Sequence, residues 1–74
     1  MSKMNEPIKT KFQLRKESRE LEIYNEWNEL MSQPGAMAVA VNEYMMSKYD
    51  IYGAATIFFI RKRVEKRLKA EGKL

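Results

Sequence analysis

The chain has 74 residues and a net charge of +4, and it contains neither Cys nor His. This length provides one domain, which buries only about 60% of the surface that the unfolded chain exposes. Disulfides, thiol nucleophiles, imidazole bases and the common zinc ligand sets are excluded, so we expect no catalysis, no metal and no cofactor. Because no such crosslink supports a small core, a homodimer is a reasonable expectation.

Charge is unevenly distributed along the chain. Residues 1–19, 20–50 and 51–74 carry net charges of +4, −5 and +5. Such a molecule could turn a positive side toward a polyanion, although small proteins also segregate charge by chance. The longest apolar run, residues 36–41, is far shorter than the ~18 residues of a membrane-spanning helix. We therefore expect no membrane partner and, from the absence of Cys, a cytoplasmic location.

The first 14 residues show no sustained apolar period, which predicts a flexible basic arm followed by a domain over residues 15–74. A basic arm can fold over its domain or follow DNA. A frayed terminus is the simpler alternative.

A helical pattern begins near Ser18, the predicted N-cap, and continues to about Ser32. Its apolar face contains Ile23, Trp27, Leu30 and Met31. Three carboxylates, Glu22, Glu26 and Glu29, also share a face. No other ligand type lies nearby, so this stripe is predicted to face solvent rather than to bind a metal.

Gln33, Pro34 and Gly35 end the first helix, because Pro cannot continue a helix and Gly favours left-handed backbone. The next helix is predicted over about residues 36–48. Its apolar face contains Met37, Ala40, Val41, Tyr44 and Met45. Methionines at this spacing could form an adaptable binding patch, but they more commonly fill a core.

The third helix has two different faces. Winding the chain at 100° per residue places Ile57, Ile60, Val64 and Leu68 on one narrow stripe, the predicted core side. The opposite side contains Ala55, Phe59, Lys62, Lys66 and Lys69, flanked by Phe58 and Arg63. Lysine and arginine neutralise phosphates, and an apolar ring can contact a thymine methyl group. This face therefore suits a nucleic acid. The alternative is that the two phenylalanine rings are buried under the arm or in a dimer, and that the lysines only face solvent.

Residues 36–69 contain a pattern that resembles the helix-turn-helix segment of small prokaryotic and phage regulators. The pattern consists of Tyr49, Ile51, the pair Thr56-Ile57 and the run from Ile60 to Arg67. The resemblance implies that Tyr49, Ile51 and Ile57 are structural. It also implies a groove-facing set: Ala54, Ala55, Thr56, Phe58 and Phe59.

The chain departs from that family at the turn. Asp50 stands where the family commonly has Gly, Tyr52 where it commonly has a capping Ser, and the turn before Thr56 is longer by one residue. Asp50 can adopt left-handed backbone, which a short polar side chain tolerates. The usual polar base readers of the family are replaced by residues that cannot form the bidentate hydrogen bonds that identify G or A. These residues are Gly53, Ala54, Ala55, Phe58 and Phe59. Recognition would then rest on phosphates and DNA shape, or the fold would serve a protein partner.

Together these patterns predict an all-α, three-helix bundle with a helix-turn-helix that binds double-stranded DNA and controls transcription or replication. The predicted DNA-binding residues are Ala55, Thr56, Phe58, Phe59, Arg61, Lys62, Arg63, Lys66, Arg67 and Lys69. The alternative is a protein-interaction module, such as a phage-type inhibitor or adaptor, that anchors a partner with Phe58 and Phe59.

Overall fold

A computed structural model describes residues 9–74, which form three helices and no strand. The helices are α1 (Lys11–Met31), α2 (Ala38–Tyr49) and α3 (Ala54–Ala70). The prediction of an all-α, three-helix bundle is confirmed. Most of the predicted arm, residues 1–8, lies outside the described residues.

The first helix begins seven residues earlier than predicted, so Ser18 is not its N-cap. Thr10 has extended backbone, and its Oγ1 accepts a hydrogen bond from the Gln13 backbone N–H at 3.1 Å. A Thr followed three residues later by Gln is the sequence signature of a capping box. Residues 11–14, assigned to the arm by the sequence, thus form the first turn of α1.

The connections between helices depend on left-handed backbone. Gly35 has a φ of 78° between α1 and α2. Asp50 ends α2 with φ 55° and ψ 50°, the left-handed backbone that its short polar side chain tolerates. The Ile51 N–H then bonds to the Met46 carbonyl at 2.9 Å, in the pattern of a Schellman C-cap.

The core lies where the three helices meet. Its six buried apolar side chains are Ile23, Val41, Met45, Ile57, Ile60 and Val64. Tyr49, Ile51 and Leu68 pack against this cluster. The core stripe predicted for α3 is therefore confirmed, as is the structural position of Tyr49, Ile51 and Ile57.

The predicted core face of α2 is only partly correct. Met45 is fully buried, but Met37 and Tyr44 are 67% and 49% exposed, and Ala40 is also exposed. Met37 immediately precedes the helix and has extended backbone, so its side chain does not follow the helical period. The prediction that the methionines fill the core is wrong for Met37.

Contacts between polar side chains join α1 to α3. Glu20 of α1 meets Arg63 and Arg67 in the second half of α3, and Trp27 of α1 meets Arg61 near the middle of α3. Among residues 9–74, no helix combines the length and apolar character required to cross a membrane.

Candidate nucleic-acid interface

The start of α3 is defined by Gly53, whose φ of 101° and ψ of 147° are disfavoured for residues with a Cβ. The Thr56 N–H bonds back to the Gly53 carbonyl at 3.2 Å. Residues Ala54, Ala55 and Thr56 then form the exposed first turn of the helix. Of these, Thr56 directs its hydroxyl to the Tyr52 carbonyl, at 3.4 Å.

Burial of one stripe of α3 leaves the opposite stripe facing solvent. We call this surface the outer face of α3. Its members are Ala55, Phe58, Phe59, Lys62, Lys66 and Lys69, all of which are exposed. The outer face runs from an apolar end near the turn to a cationic end near the C-terminus.

The apolar end is an exposed aromatic pair. Phe58 and Phe59 are 46% and 56% exposed, and their ring centroids lie 5.5 Å apart in an edge-to-face arrangement. The Lys62 ammonium lies 5.5 Å from the centroid of the Phe58 ring. The two rings and one cation thus form a continuous surface that the described residues of the chain leave uncovered.

The cationic end contains three lysines. Lys62 makes one ion pair, to Glu65 of the same helix at 3.7 Å, and both side chains are well exposed. The side chains of Lys66 and Lys69 make no hydrogen bond or ion pair with the residues from 9 to 74. Exposed pairs such as Lys62–Glu65 contribute little and are readily exchanged. All three ammonium groups are therefore available to an anionic ligand.

By contrast, Arg61 packs against α1. Its guanidinium carbon lies 3.5 Å from the centroid of the Trp27 ring, and its Nε atom is buried without a hydrogen-bond partner in the described part of the chain. Trp27 is itself held by α2, because its Nε1 donates to Asn42 Oδ1 at 2.8 Å. This stack joins all three helices.

Arg63 and Arg67 also interact with α1. Both donate to Glu20, at 2.7 and 3.2 Å, and Arg67 also donates to the Glu17 carbonyl at 3.3 Å. Glu20 is only 5% exposed. Burial acts to raise the pKa of Glu20, but the hydrogen bonds from Arg63 and Arg67 and the charges of Arg63 and Lys16 outweigh it and leave the pKa below its ordinary value.

Sequence reasoning did not identify Glu20 as a structural residue. The available signal was the spacing of Arg63 and Arg67, which are four residues apart and so share one side of α3. Two guanidinium groups on one flank of a packed helix require an anion opposite them. Nothing in the local sequence of α1 identifies that anion, because the crossing of α1 and α3 decides which carboxylate meets them.

The predicted acidic stripe of α1 is also divided by packing. Glu22 and Glu29 are exposed, as predicted, but Glu26 accepts hydrogen bonds from Lys48 at 2.8 Å and from the Tyr49 hydroxyl at 2.6 Å. The prediction of a solvent-facing Glu26 is wrong, because α2 lies against that flank of α1. Residues 9–74 contain no group of three acidic side chains placed to hold a metal ion.

The ten predicted DNA-binding residues therefore fall into two sets. Seven lie on or beside the exposed outer face: Ala55, Thr56, Phe58, Phe59, Lys62, Lys66 and Lys69. The other three, Arg61, Arg63 and Arg67, hold α3 against α1. Comparisons of the chain with protein-family models, with curated proteins and with solved structures find no match.

Proposed function

We propose that this protein binds double-stranded DNA through the outer face of α3 and acts as a helix-turn-helix regulator of transcription or replication. The observation that carries the proposal is the outer face itself. Three available lysines continue from an exposed aromatic pair, on a helix that follows a tight turn at the edge of the bundle. A helix in this position can enter the major groove of B-DNA.

Each part of the outer face has a role in this proposal. Lys62, Lys66 and Lys69 neutralise phosphates, which supplies affinity but no sequence information. Phe58 and Phe59 contact thymine methyl groups in the groove, and the small Ala55 allows close approach. Specificity then depends on apolar contacts and DNA shape, because neither the two rings nor Ala55 can read G or A by paired hydrogen bonds.

Fewer side chains are free to contact phosphates than the sequence alone indicates. Arg61 has its guanidinium stacked on Trp27, and Arg67 directs its donors to Glu20 and the Glu17 carbonyl. Arg63 pairs with Glu20 but keeps 51% of its side chain exposed. We therefore assign the main electrostatic contacts to the lysines and at most a secondary one to Arg63.

The test is binding of random-sequence duplex DNA at a series of salt concentrations. Log affinity should fall linearly with log salt, with a slope of about −0.9 per phosphate contact. The double variant Lys62→Gln/Lys66→Gln should make that slope shallower by about 1.8, because two contacts are lost.

A matched control removes the same net charge elsewhere. Asn25→Asp/Asn28→Asp places two negative charges at exposed positions of α1, outside the outer face of α3. Its slope should equal that of the native protein. An unchanged slope in the lysine variant, or no binding of the native protein at low salt, would refute the proposal.

A second candidate is a protein-interaction module, and the exposed Phe58–Phe59 pair is the observation that favours it. Aromatic anchors surrounded by charge are typical of binding hot spots. In this case the native protein would bind no duplex DNA, and the lysines would only steer a protein partner. Duplex binding by the native protein therefore distinguishes the two candidates. If DNA binds, Phe58→Ala should alter sequence preference where the ring reaches a base, whereas Lys62→Gln should weaken binding to every DNA sequence alike.

A further inference from the structure

The N-terminal half of α1 extends beyond the three-helix core. From residue 11 to residue 19 no side chain is buried, and Glu20 is the first buried residue of the helix. This segment contains four cations: Lys11, Arg15, Lys16 and Arg19. Helix α1 thus carries an exposed basic segment in addition to its packed half.

Lys16 connects this segment to α3. It lines a groove of about 540 Å³ between α1 and α3, in which Lys66 of the outer face is also a lining residue. It also lines a second groove, of about 300 Å³, together with Tyr52 and Thr56 at the start of α3. Arg15 lies beside Lys16 in a further depression on the surface of α1. Lys16 therefore borders both the start and the second half of the proposed DNA-binding helix, and Arg15 lies beside it on α1.

The nearby acids are already paired. Glu17 bonds to Lys9 at 2.7 Å, and Glu20 bonds to Arg63 and Arg67. Arg15 and Lys16 have no ion-pair partner between residues 9 and 74. Arg19 differs, since its guanidinium donates to the Tyr49 carbonyl and lies over the Tyr49 ring. The surplus positive charge of the segment is thus concentrated on Arg15 and Lys16, with Lys11 one turn away.

We propose that Arg15 and Lys16 form a second set of phosphate contacts, to the same duplex that the outer face of α3 engages. This inference rests on the proposed function. Duplex DNA carries one negative charge per ~1.7 Å of its axis, so a backbone seated against Lys66 presents further phosphates along the groove that Lys16 lines. The binding surface then spans two helices, which orients the duplex as well as holding it.

The experiment compares Arg15→Ala/Lys16→Ala with the control Asn25→Asp/Asn28→Asp, which changes net charge equally. Alanine is a strong helix former and both positions are exposed, so α1 should remain folded, which circular dichroism checks. The alanine variant should make the salt slope of duplex binding shallower by about 1.8 and weaken binding roughly 10- to 100-fold at ~0.1 M salt. The control should keep the native slope.

The outcomes separate this inference from the proposed function. If the alanine variant keeps the native slope while Lys62→Gln/Lys66→Gln loses part of it, the second contact set is refuted and the DNA-binding function stands. The second contact set is also refuted if the control and the alanine variant lose equal affinity, because the effect would then be one of net charge. If the native protein binds no duplex at low salt, both proposals are refuted.

Discussion

The arginines and the lysines of α3 lie on different parts of the helix. Arg61, Arg63 and Arg67 face α1, whereas the lysines of the outer face point to solvent. Helical geometry sets this division, because the arginines flank the buried stripe and the lysines lie opposite it. Side-chain chemistry fits the division, since a guanidinium stacks on aromatic rings and binds carboxylates with several donors, while an ammonium is a compact, strongly hydrated charge. Within α3, arginines therefore make the contacts that hold the fold, and the lysines are the cations available to a ligand.

Glu20 makes the ion pairs between α1 and α3, and its ionisation should make stability pH-dependent. The pKa of Glu20 is lowered in the folded state. A lowered carboxyl pKa contributes stability that is present above the unfolded pKa and is lost as pH falls through the folded pKa. Glu20→Gln should therefore reduce the free energy of unfolding by about 1–3 kcal/mol at neutral pH. Below about pH 4 the difference from the native protein should shrink.

Urea unfolding at pH 7 and pH 3 measures this effect. Glu22→Gln is the matched control, because Glu22 is an exposed carboxylate on the same helix and should change stability by less than about 0.5 kcal/mol. A loss for Glu20→Gln that is equal at both pH values would show that the ionised carboxylate contributes nothing to the α1–α3 contact.

At the scale of elements, the turn between α2 and α3 sets the direction in which α3 leaves the bundle. The turn begins with left-handed Asp50 and ends with Gly53 at φ 101°. No atom would contact a Cβ added at Gly53, so only backbone strain opposes an alanine at this position. Gly53→Ala should cost about 1–3 kcal/mol of stability, since this backbone region is essentially restricted to glycine.

Asp50→Gly is the opposite change in the same turn. It removes a side chain from left-handed backbone and should be neutral or stabilising, because glycine adopts this conformation without a steric penalty. Thermal unfolding of both variants tests the pair. If Gly53→Ala were as stable as the native protein, the turn would have to adopt another conformation.

The elements were predictable to different degrees. The core stripe of α3 and the breaks at Pro34 and Asp50 follow from the sequence, because buried spacing and turn chemistry are local properties. The start of α1 does not follow from apolar periodicity, since its first turns are exposed and no burial selects apolar positions there. Phe12, 72% exposed, illustrates the point: an apolar residue in that segment marks no core. Only the Thr10–Gln13 capping pattern indicates the true start.

The sequence predicts which face of α3 forms the candidate site, but not which of its cations are free to bind a ligand. Helical geometry alone places the lysines and the two phenylalanines opposite the core stripe. It cannot show that Arg61 stacks on Trp27 or that Arg63 and Arg67 meet Glu20, because those contacts join residues more than 30 positions apart in the chain. Contacts of that separation are set by how the helices cross.

For the whole molecule, the small core remains the main physical constraint. Six buried apolar side chains stabilise it, while exposed apolar surface remains elsewhere. An apolar groove of about 360 Å³ lies between the α1–α2 connection and α2, with Leu30 and Val41 among its lining residues and Met37 and Tyr44 exposed beside them. Homodimerisation remains a prediction, and this groove is where we expect the contact.

Dimerisation through this groove should make the Tm rise with protein concentration, because association stabilises the folded state by mass action. Met37→Asp should abolish that concentration dependence by placing a charge in the groove. The fold should be preserved, because Met37 holds the N-cap position of α2 and Asp is a favoured cap.

Val39→Asp is the control. Val39 is equally exposed and lies in the first turn of the same helix, but it does not line the groove. Sedimentation equilibrium gives the mass directly. A monomer at all concentrations would refute the dimer, and an equal effect of the two variants would place its contact elsewhere on α2.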